Sequence, residues 1–378
     1  GSGSYTGSDN PRSMSMSGPI TETANFVAQV TMTVSYSLVG GGTGYSAPIF
    51  NYVQDSVSKQ YALTMSPAAI SVDSGSSWSV TPNPPTGSTT TERWYSNQAL
   101  GGTASTGTFV FMFYHQYLVT ASYSTSDAST PSSNVVLSGT RFGDNTFAFT
   151  LSTSSQTVWL DANAGWSTNN PIVASSGTER WDATSSGTSG TVTGAITIAP
   201  LYYHDYLLTL SYGVSSDGSG YSPPTITANQ FGSPVEQTLT ATDSSYWFDT
   251  GSSWSVTNPL TGSTSTERWQ LSPSQSASGT VSSTQTIIFT YQHQYQLSMQ
   301  VNPSGGGTTN PPVGGCWYDS GQTVSIEAFP GSGYAFSSWS GSGSGSYVGS
   351  NNPASVTMNS AMTETADFVE QVTMTVSY

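Results

Sequence analysis

The sequence is poor in charged side chains. Only 7% of its 378 residues are Asp, Glu, Lys or Arg, and 6 Lys and Arg against 21 Asp and Glu give a formal net charge of −15. A chain with this balance is repelled by phosphate backbones and by anionic membrane surfaces, because both are themselves negative. The composition therefore argues against nucleic acid as a partner.

Cysteine, lysine and long apolar runs are also scarce. Cys316 is the single cysteine, which excludes a disulfide framework within the chain. Lys59 is the single lysine, so lysine-based isopeptide crosslinks are limited to at most one domain. No apolar run approaches the roughly 18–20 residues of a membrane-spanning helix. Because the opening GSGSYTGS has no signal-peptide pattern, we expect any export signal or anchor to lie outside this sequence.

Aromatic and turn-forming residues are abundant. The sequence has 10 Trp, 21 Tyr, 39 Gly and 20 Pro, and Thr, Val and Tyr dominate between the turn residues. The large apolar side chains supply area to bury, which argues against disorder. β-Branched and aromatic residues between frequent turns predict many short strands. The few charges and a surface of Ser, Thr, Asn and Gly favour an extracellular location at the cell surface.

One layout of residues occurs three times along the sequence. The motif Thr-Glu-Arg-Trp places three arginines 87 and 88 residues apart, the preceding tryptophans recur every 88 residues, and the following histidines recur every 89. The recurring residues are Trp78, Trp166 and Trp254, then Arg93, Arg180 and Arg268, then His115, His204 and His293. We expect three similar β-sandwiches of about 88 residues each.

A fourth, divergent repeat occupies residues 294–371. It contains Gly-Cys-Trp-Tyr-Asp-Ser-Gly-Gln-Thr-Val, then Gly-Tyr-Ala-Phe-Ser-Ser-Trp ending at Trp339, then Ala-Asp-Phe near its end. These residues resemble the divergent internalin B-repeat-like modules of long prokaryotic cell-surface proteins, archaeal ones in particular. The resemblance implies an Ig-like β domain and brings no catalytic residues with it.

The two ends of the sequence are copies of each other. Residues 1–36 and 343–378 are identical at 25 of 36 positions. We therefore divide the chain into residues 1–28 as the C-terminal half of an internalin-repeat-like domain, 29–116, 117–204 and 205–293 as β-sandwich repeats, 294–371 as the divergent domain, and 372–378 as the opening strand of a following domain. The simplest interpretation is a window cut from a longer array. The alternative is a subunit whose open ends are completed by neighbours through strand exchange.

The repeats are predicted to be joined by continuous strands. Residues 111–123, FMFYHQYLVTASY, are too long for one ordinary strand and contain no Gly or Pro, so we expect the closing strand of one repeat to run on as the opening strand of the next. The predicted fold class is all-β: a tandem array of small Ig-like β-sandwich domains.

Each repeat has one histidine, and a metal site or a nucleophile with its base needs two or more groups close together. His115, His204 and His293 are therefore expected to be structural. Alternation along a strand places each of them on the same face as the tyrosine two residues later, near the seam between two repeats.

The arginines of the repeated motif point to the strand face opposite the neighbouring Glu and Trp. We expect Arg93 to bind loop carbonyls, to pair with Asp73 or to lie on the Trp78 ring, and the same for Arg180 and Arg268. Ligand binding and contact with a neighbouring chain are the alternatives.

Trp78, Trp166, Trp254 and Trp339 follow turns and are predicted to be core residues. The aspartates nearby, Asp73, Asp161, Asp249 and Asp319, precede Ser/Thr-Gly or Ala-Gly-like turns, and their carboxylates are expected to cap the amides of those turns. Calcium at the domain junctions is the weaker alternative, because carboxylates and carbonyls are its ligands but no Asp-x-Asp-x-Asp loop is present.

No Gly-x-Ser-x-Gly element occurs between a strand and a helix, and we expect neither an enzyme nor a cofactor. The sequence favours a non-catalytic structural protein that self-associates into an extracellular filament, fibre or surface coat. An adhesin or carbohydrate-binding stalk with exposed tryptophans is the alternative, and an accessory region of an exported hydrolase is the third.

Overall fold

The computed structural model describes residues 4–173, 177–216 and 218–376. The chain folds as two compact units. The first contains Gly1–Tyr123, Val135–Asn169 and Ser185–Pro200, and the second contains Ser124–Asn134, Asn170–Thr184 and Leu201–Tyr378. Within the described ranges the single helical element is a 3-10 turn at Ser185–Gly187. The predicted fold class, an all-β array of small Ig-like sandwiches, is confirmed.

The strands are short except for three that span a junction. The first seventeen are β1 (Gln29–Val39), β2 (Ile49–Gln54), β3 (Val57–Ala62), β4 (Ala68–Asp73), β5 (Ser77–Thr81), β6 (Glu92–Tyr95), β7 (Gly101–Thr103), β8 (Gly107–Ala121), β9 (Ser124–Thr125), β10 (Val136–Arg141), β11 (Asp144–Thr150), β12 (Gln156–Asp161), β13 (Gly165–Thr168), β14 (Ile172–Val173), β15 (Glu179–Asp182), β16 (Ser189–Thr191) and β17 (Ile196–Ile198). The others are β18 (Leu201–Ser215), β19 (Thr225–Gln230), β20 (Ser233–Thr238), β21 (Ser244–Asp249), β22 (Ser253–Val256), β23 (Glu267–Leu271), β24 (Ser278–Thr280), β25 (Gln285–Asn302), β26 (Gly307–Asn310), β27 (Gly314–Asp319), β28 (Thr323–Pro330), β29 (Tyr334–Ser342), β30 (Ala354–Thr357) and β31 (Met362–Glu370).

In the first unit, β12-β8-β1-β4 form the path of a six-stranded sheet, with β6 and β17 also paired to β8. Two further sheets have the orders β3-β2-β5-β7 and β11-β10-β13-β16. Met32 of β1, Phe50 of β2, Trp78 of β5 and Phe111 of β8 belong to one buried cluster. The core of the first repeat thus lies between two sheets, as expected for strands with one apolar and one polar face.

In the second unit, the path β14-β15-β18-β25-β31-β29 runs through a ten-stranded sheet, and β9, β21, β23 and β27 pair with β18 or β25. The smaller sheets have the orders β20-β19-β22-β24 and β26-β28-β30. Phe248, Trp254 and Phe289 belong to one buried cluster, and Trp339 and Phe368 belong to a second. Each cluster joins residues of the large sheet to residues of one smaller sheet.

Each of the three repeats has a hairpin after its opening strand, and the two turn residues of this hairpin lie in the left-handed region of the backbone. The β10–β11 turn is Phe142-Gly143, with φ of 55° and 74°, and such turns match the twist of the flanking strands. Asp161 holds this turn, since its carboxylate accepts the N–H groups of Phe142 at 3.0 Å and Gly143 at 2.7 Å. Asp73 and Asp249 hold the equivalent turns in the same way.

These contacts correct one detail of the sequence analysis. The aspartate carboxylate caps a hairpin turn 17 to 19 residues before it, at Asp55-Ser56 in the first repeat, rather than the turn that follows it. The carboxylate accepts hydrogen bonds from both turn amides and so stabilises the turn. This offsets the backbone strain of non-glycine residues at positive φ.

The long strands pass from one repeat to the next. The first half of β8 lies parallel to β1, and its second half pairs antiparallel with β12 and parallel with β17. In the second unit, β25 pairs parallel with β18 through its first half and with β31 through its second half. One strand therefore closes one sandwich and opens the next, which confirms the predicted continuous strands.

The two terminal segments, predicted above to be parts of further domains, form no strands within the described residues. Residues 4–28 are irregular and largely exposed, and residues 371–376 are irregular and exposed. Residues 1–3, 377 and 378, which belong to the same predicted segments, lie outside the described residues. The boundaries placed near residues 28, 116, 204 and 293 stay predictions.

Candidate functional site: the junctions between repeats

The first junction is built around a stacked Trp94–His115 pair. Trp94 of β6 lies opposite His115 of β8 in an antiparallel ladder, and their rings stack with centroids 4.8 Å apart and planes 8° apart. Nε2 of His115 is 2.7 Å from Oε1 of Glu92. Glu92 and Trp94 reach the same ring because residues i and i+2 of a strand share a face.

The same cluster recurs at the next two junctions. Trp181 and His204 stack at 4.5 Å, and Trp269 and His293 stack at 4.9 Å. His204 Nε2 is 2.8 Å from Glu179, and His293 Nε2 is 2.8 Å from Glu267. We call the three sets Trp94/His115/Glu92, Trp181/His204/Glu179 and Trp269/His293/Glu267 the Trp-His-Glu clusters. Their tryptophans and histidines are buried, so each cluster is a polar contact inside an aromatic core. In the third cluster Trp269 Nε1 and His293 Nδ1 have no hydrogen-bond partner among the described residues.

A tyrosine completes each Trp-His-Glu cluster. The rings of His115 and Tyr117 are 4.8 Å apart, and the rings of His293 and Tyr295 are 4.7 Å apart. Burial, followed by the charge and hydrogen bond of Glu92, raises the pKa of Tyr117 above its ordinary value. These hydroxyls therefore stay protonated and can donate to the glutamate.

The opposite face of each junction carries an arginine stacked on an indole. Arg93 lies 4.4 Å from the Tyr95 ring and 4.2 Å from the Trp159 ring, and its Nε and Nη2 donate to Gln116 Oε1 at 3.0 and 2.8 Å. Gln116 Nε2 then donates to Asp161 at 2.8 Å. Burial, together with the charge of Arg141, lowers the pKa of Arg93 to about 10. Trp159 and Asp161 belong to the repeat that follows the one containing Arg93. These contacts therefore connect two successive repeats.

The third junction repeats this arrangement. Arg268 lies 4.3 Å from the Trp317 ring and donates from Nε to Gln294 at 2.8 Å. Gln294 Nε2 donates to Asp319 at 2.9 Å. The structure therefore places a guanidinium, a carboxamide and a carboxylate in one line on the face opposite the Trp-His-Glu cluster.

The second junction has an aspartate where the others have glutamine. Arg180 stacks on Trp247 at 4.3 Å, and its Nε is 3.3 Å from Oδ2 of Asp205 while its Nη2 is 2.9 Å from Asp182. Asp205 is fully buried, and its Oδ1 has no hydrogen-bond partner among the described residues. Burial raises the pKa of Asp205 to about 7 even though Arg180 opposes the change. Asp205 therefore places a carboxylate at the position where the first and third junctions have the carboxamide of a glutamine.

Two predictions about these residues are wrong. The arginines do not use the Asp73 or Trp78 side of the sandwich, because Trp159, which follows the shared strand, offers a flat ring directly beside Arg93. Trp166 is only half-buried, whereas Trp78, Trp254 and Trp339 are buried. Phe111 and Phe289 pack on Trp78 and Trp254, and the position equivalent to these phenylalanines in the second repeat is Pro200.

Sequence reasoning missed two sets of residues that recur in phase. The first set is the tryptophans of the repeated motif, Trp94, Trp181 and Trp269, which are more deeply buried than the predicted core tryptophans of the same repeats. The second set is Trp159, Trp247 and Trp317, each two residues before an aspartate. A signal was present for the second set, since Trp-x-Asp occurs at all three junctions but not at Asp73, which precedes them.

The junctions supply no grouping of metal ligands. Across residues 4–173, 177–216 and 218–376, no set of three or more His, Cys, Asp or Glu is placed to hold a metal ion. The histidines each face one or two carboxylates, and the absence of a cofactor stays a prediction. In the same ranges no helix is long or apolar enough to cross a membrane.

We expect the planar shape of the junction arginine to matter as well as its charge. Arg268→Lys keeps the charge but loses the stacking on Trp317 and the directed Nε donor, so it should weaken the third junction by about 0.5–2 kcal/mol. Hydrogen exchange of peptides from β25 measures this local stability. The matched control Arg12→Lys alters an exposed arginine and should leave β25 unchanged. Equal exchange in both variants would contradict the stacking.

No curated protein is significantly similar to the chain. A Streptococcal ancillary pilin is 7% identical over 70% of this chain and 99% of that chain, with a TM-score of 0.24. The open conformation of the pilus adhesin SpaC from Lactobacillus rhamnosus GG is 11% identical over 93% of this chain, with a TM-score of 0.27, and the match spans 44% of SpaC.

The two B repeat units of the collagen binding protein of Staphylococcus aureus are 7% identical over 91% of this chain and 100% of that chain, with a TM-score of 0.18. The match to a family model is more specific. Residues 297–372 match the model described as a divergent InlB B-repeat domain, as the resemblance of residues 294–371 predicts.

Proposed function

We propose that this chain is a non-catalytic structural protein of the prokaryotic cell surface, whose repeats build an extracellular filament, fibre or coat. The observation that carries the proposal is the junction: one strand belongs to two successive sandwiches, and both of its faces are fixed. At the first junction the Trp-His-Glu cluster holds one face and the Arg93, Gln116 and Asp161 contacts hold the other. Such a connection restricts bending, unlike a Gly/Ser linker.

The side chains at the junctions support a structural role over catalysis. Each histidine is buried, has its Nε2 within hydrogen-bond distance of a glutamate and stacks on an indole, so its ring is closed to a substrate. The divergent InlB B-repeat domain at residues 297–372 agrees with a repeat protein of the cell surface. The archaeal origin expected from the resemblance stays a prediction.

The adhesin alternative requires aromatic faces that can stack on sugar rings. Trp159, Trp247 and Trp317 lie near the surface, but an arginine covers a face of each indole. Among the described residues no tryptophan is an exposed large apolar side chain. The geometry therefore favours a structural element over a carbohydrate-binding stalk.

Self-association is part of the proposal. The octapeptide QVTMTVSY occurs at residues 29–36 and again at 371–378. In the first copy Met32 and Val34 are fully buried in β1, whereas Met374 and Val376 of the second copy are 84% and 73% exposed. A segment with the sequence of a buried strand is suited to strand pairing, whether its partner strands belong to the same chain or to another copy.

Negative-stain imaging of the protein as recovered from its native surface tests the proposal. We expect long unbranched assemblies with a repeating substructure, and we expect no binding to a glycan array. Discrete particles of a single chain, or tight binding to one glycan by protein that forms no assembly, would overturn the structural role and favour the adhesin.

A further inference from the structure

The first junction holds two arginines that no carboxylate neutralises. Arg93 of β6 and Arg141 of β10 are both half-buried, and among the described residues neither has an acidic side chain within ion-pair distance. They are two of only six Lys and Arg residues in a chain with 21 Asp and Glu. A shortage of acidic side chains therefore does not explain why these two cations lack a counter-charge.

Aromatic rings connect the two guanidinium groups. Arg93 lies 4.4 Å from the Tyr95 ring, the Tyr95 and Phe142 rings are 6.0 Å apart, and Arg141 lies 5.2 Å from the Phe142 ring. Burial first, and then the charge of Arg141, lowers the pKa of Arg93, so the two like charges are close enough to repel each other. A guanidinium over a ring keeps its N–H donors free, because these donors point outward in its own plane.

The donors of these arginines lack an anionic acceptor. Nε and Nη2 of Arg93 donate to the neutral Oε1 of Gln116, which leaves Nη1 for another acceptor. Nε of Arg141 is buried and has no hydrogen-bond partner among the described residues. A buried donor without an acceptor is unfavourable, and more so on a charged group. The site therefore lacks one negatively charged acceptor.

Two carboxylates belong to the same region but are engaged with other donors. Asp161 accepts the two turn amides of the β10–β11 hairpin and Nε2 of Gln116. Asp144 is the register partner of Arg141, but its Oδ1 accepts the N–H of Thr146 at 2.9 Å and its hydroxyl at 2.7 Å. Neither carboxylate supplies the missing acceptor.

The second junction has an internal counter-charge at the matching place. There Asp182, which occupies the position of Tyr95, lies 2.9 Å from Nη2 of Arg180. The residue before the hairpin turn is Gln230 in the third repeat and Gln54 in the first, where the second repeat has arginine. Two arginines without a carboxylate are therefore specific to the first junction.

We propose that Arg93 and Arg141 form a binding site at the first junction for one oxyanion, a carboxylate or a sulfate, held between the two guanidinium groups. The planar fork of guanidinium donors matches the oxygens of such groups. The anion accepts the buried Nε–H of Arg141 and screens the repulsion between the two cations. The site is independent of the proposed function, because it needs only the first junction of one chain.

Sulfate, exchanged for chloride at constant ionic strength, is the probe for this site. We expect hydrogen exchange of β6 peptides to slow as sulfate increases, with β15 peptides of the second junction as the internal reference. The reference is needed because sulfate also stabilises folded proteins in general. Equal slowing of β6 and β15 peptides would overturn the proposal.

Arg141→Gln removes one half of the site and keeps the hairpin, since glutamine occupies this position in the first and third repeats. We expect the variant to bind sulfate about tenfold more weakly, because a charge-assisted hydrogen bond is lost. The matched control Arg12→Gln alters an exposed arginine and should respond to sulfate as the unaltered chain does. An unchanged sulfate response in Arg141→Gln contradicts the site.

Tyr95→Asp fills the site from within. It places a carboxylate beside Arg93 as Asp182 lies beside Arg180 in the second junction, so we expect the sulfate response of β6 peptides to disappear. A variant that still binds sulfate as the unaltered chain does would show that Arg93 is not part of the site.

Sedimentation velocity identifies the source of the anion. If the carboxylate of a second copy is the ligand, oligomers in chloride should dissociate in sulfate and should be absent in Arg141→Gln. If a free ion is the ligand, the oligomeric state should be the same in both salts and in both proteins. Neither result alters the imaging test, so the anion site and the structural role can fail separately.

Discussion

Trp269→Ala is expected to destabilise the third junction by about 3–5 kcal/mol, the range for deletion of a large buried aromatic side chain. The Trp269 ring is 2% exposed, stacks on His293 with 6° between the planes and packs against Tyr221. Its loss leaves a cavity and removes the ring that covers His293. Hydrogen exchange of β23 and β25 peptides gives the local free energy of opening, and β1 peptides give an internal reference.

The same substitution at Trp166 provides the control, because the residue type is identical and the ring is only half-buried. Trp166 lies on β13, between β10 and β16 in its sheet, and its register partner is Gly190 of β16. We expect Trp166→Ala to cost less than half as much as Trp269→Ala. Equal losses would mean that the Trp-His-Glu cluster contributes no more stability than a half-buried ring outside it.

Asp205→Asn is expected to stabilise the second junction above pH 7 and to have little effect near pH 4. The carboxyl of Asp205 is buried among Arg180 and Asp182 of β15 and Asp249 of β21, and its pKa rises from 3.8 to about 7. Since the folded state holds the proton more tightly, the associated stability is fully present below pH 4 and is lost as the pH rises through about 7. A shift of this size corresponds to a change on the order of 4 kcal/mol.

Asparagine keeps an oxygen for Arg180 and adds an N–H donor for Asp249, as Gln116 does for Asp161 at the first junction. Thermal unfolding followed from pH 4 to pH 9 measures the effect, and the variant should show a flatter profile than the unaltered chain. The reverse substitution, Gln116→Glu, should steepen the profile by giving the first junction a buried carboxyl. Identical pH profiles for all three proteins would exclude Asp205 as the titrating group.

The fold could be predicted from the sequence because the same order of residues recurs in each repeat. Alternating apolar residues, frequent turns and residues in phase at 88-residue intervals define the sandwiches, and FMFYHQYLVTASY defines the shared strand. Alternation also separated Glu92 and Trp94 from Arg93 correctly. These are local properties of a strand, so the sequence carries them directly.

The partners of Arg93 could not be predicted in the same way. Trp159 lies 66 positions away in the sequence, and it reaches Arg93 only because β12 and β6 both pair with the second half of β8. The burial of Trp166 depends on the ring at position 200, where proline replaces phenylalanine. Both outcomes depend on contacts between strands whose pairing is non-local.

The parallel pairing of opening and closing strands determines how a repeat responds to tension. The chain enters the first repeat through β1 and leaves it through β8, and these neighbours run side by side over eight register pairs. A pull on the two ends drags them past each other, so every hydrogen bond of the ladder is loaded in shear at once instead of being peeled open singly. β18 and β25 form an equally long clamp. β17 has only three pairs with β8 before Ala199 and Pro200 interrupt the strand, since proline has no N–H to donate. Two further parallel pairs, between β9 and the start of β18, follow the interruption. The second repeat therefore has the shortest continuous clamp of the three repeats, and we expect it to be the first repeat to extend under tension.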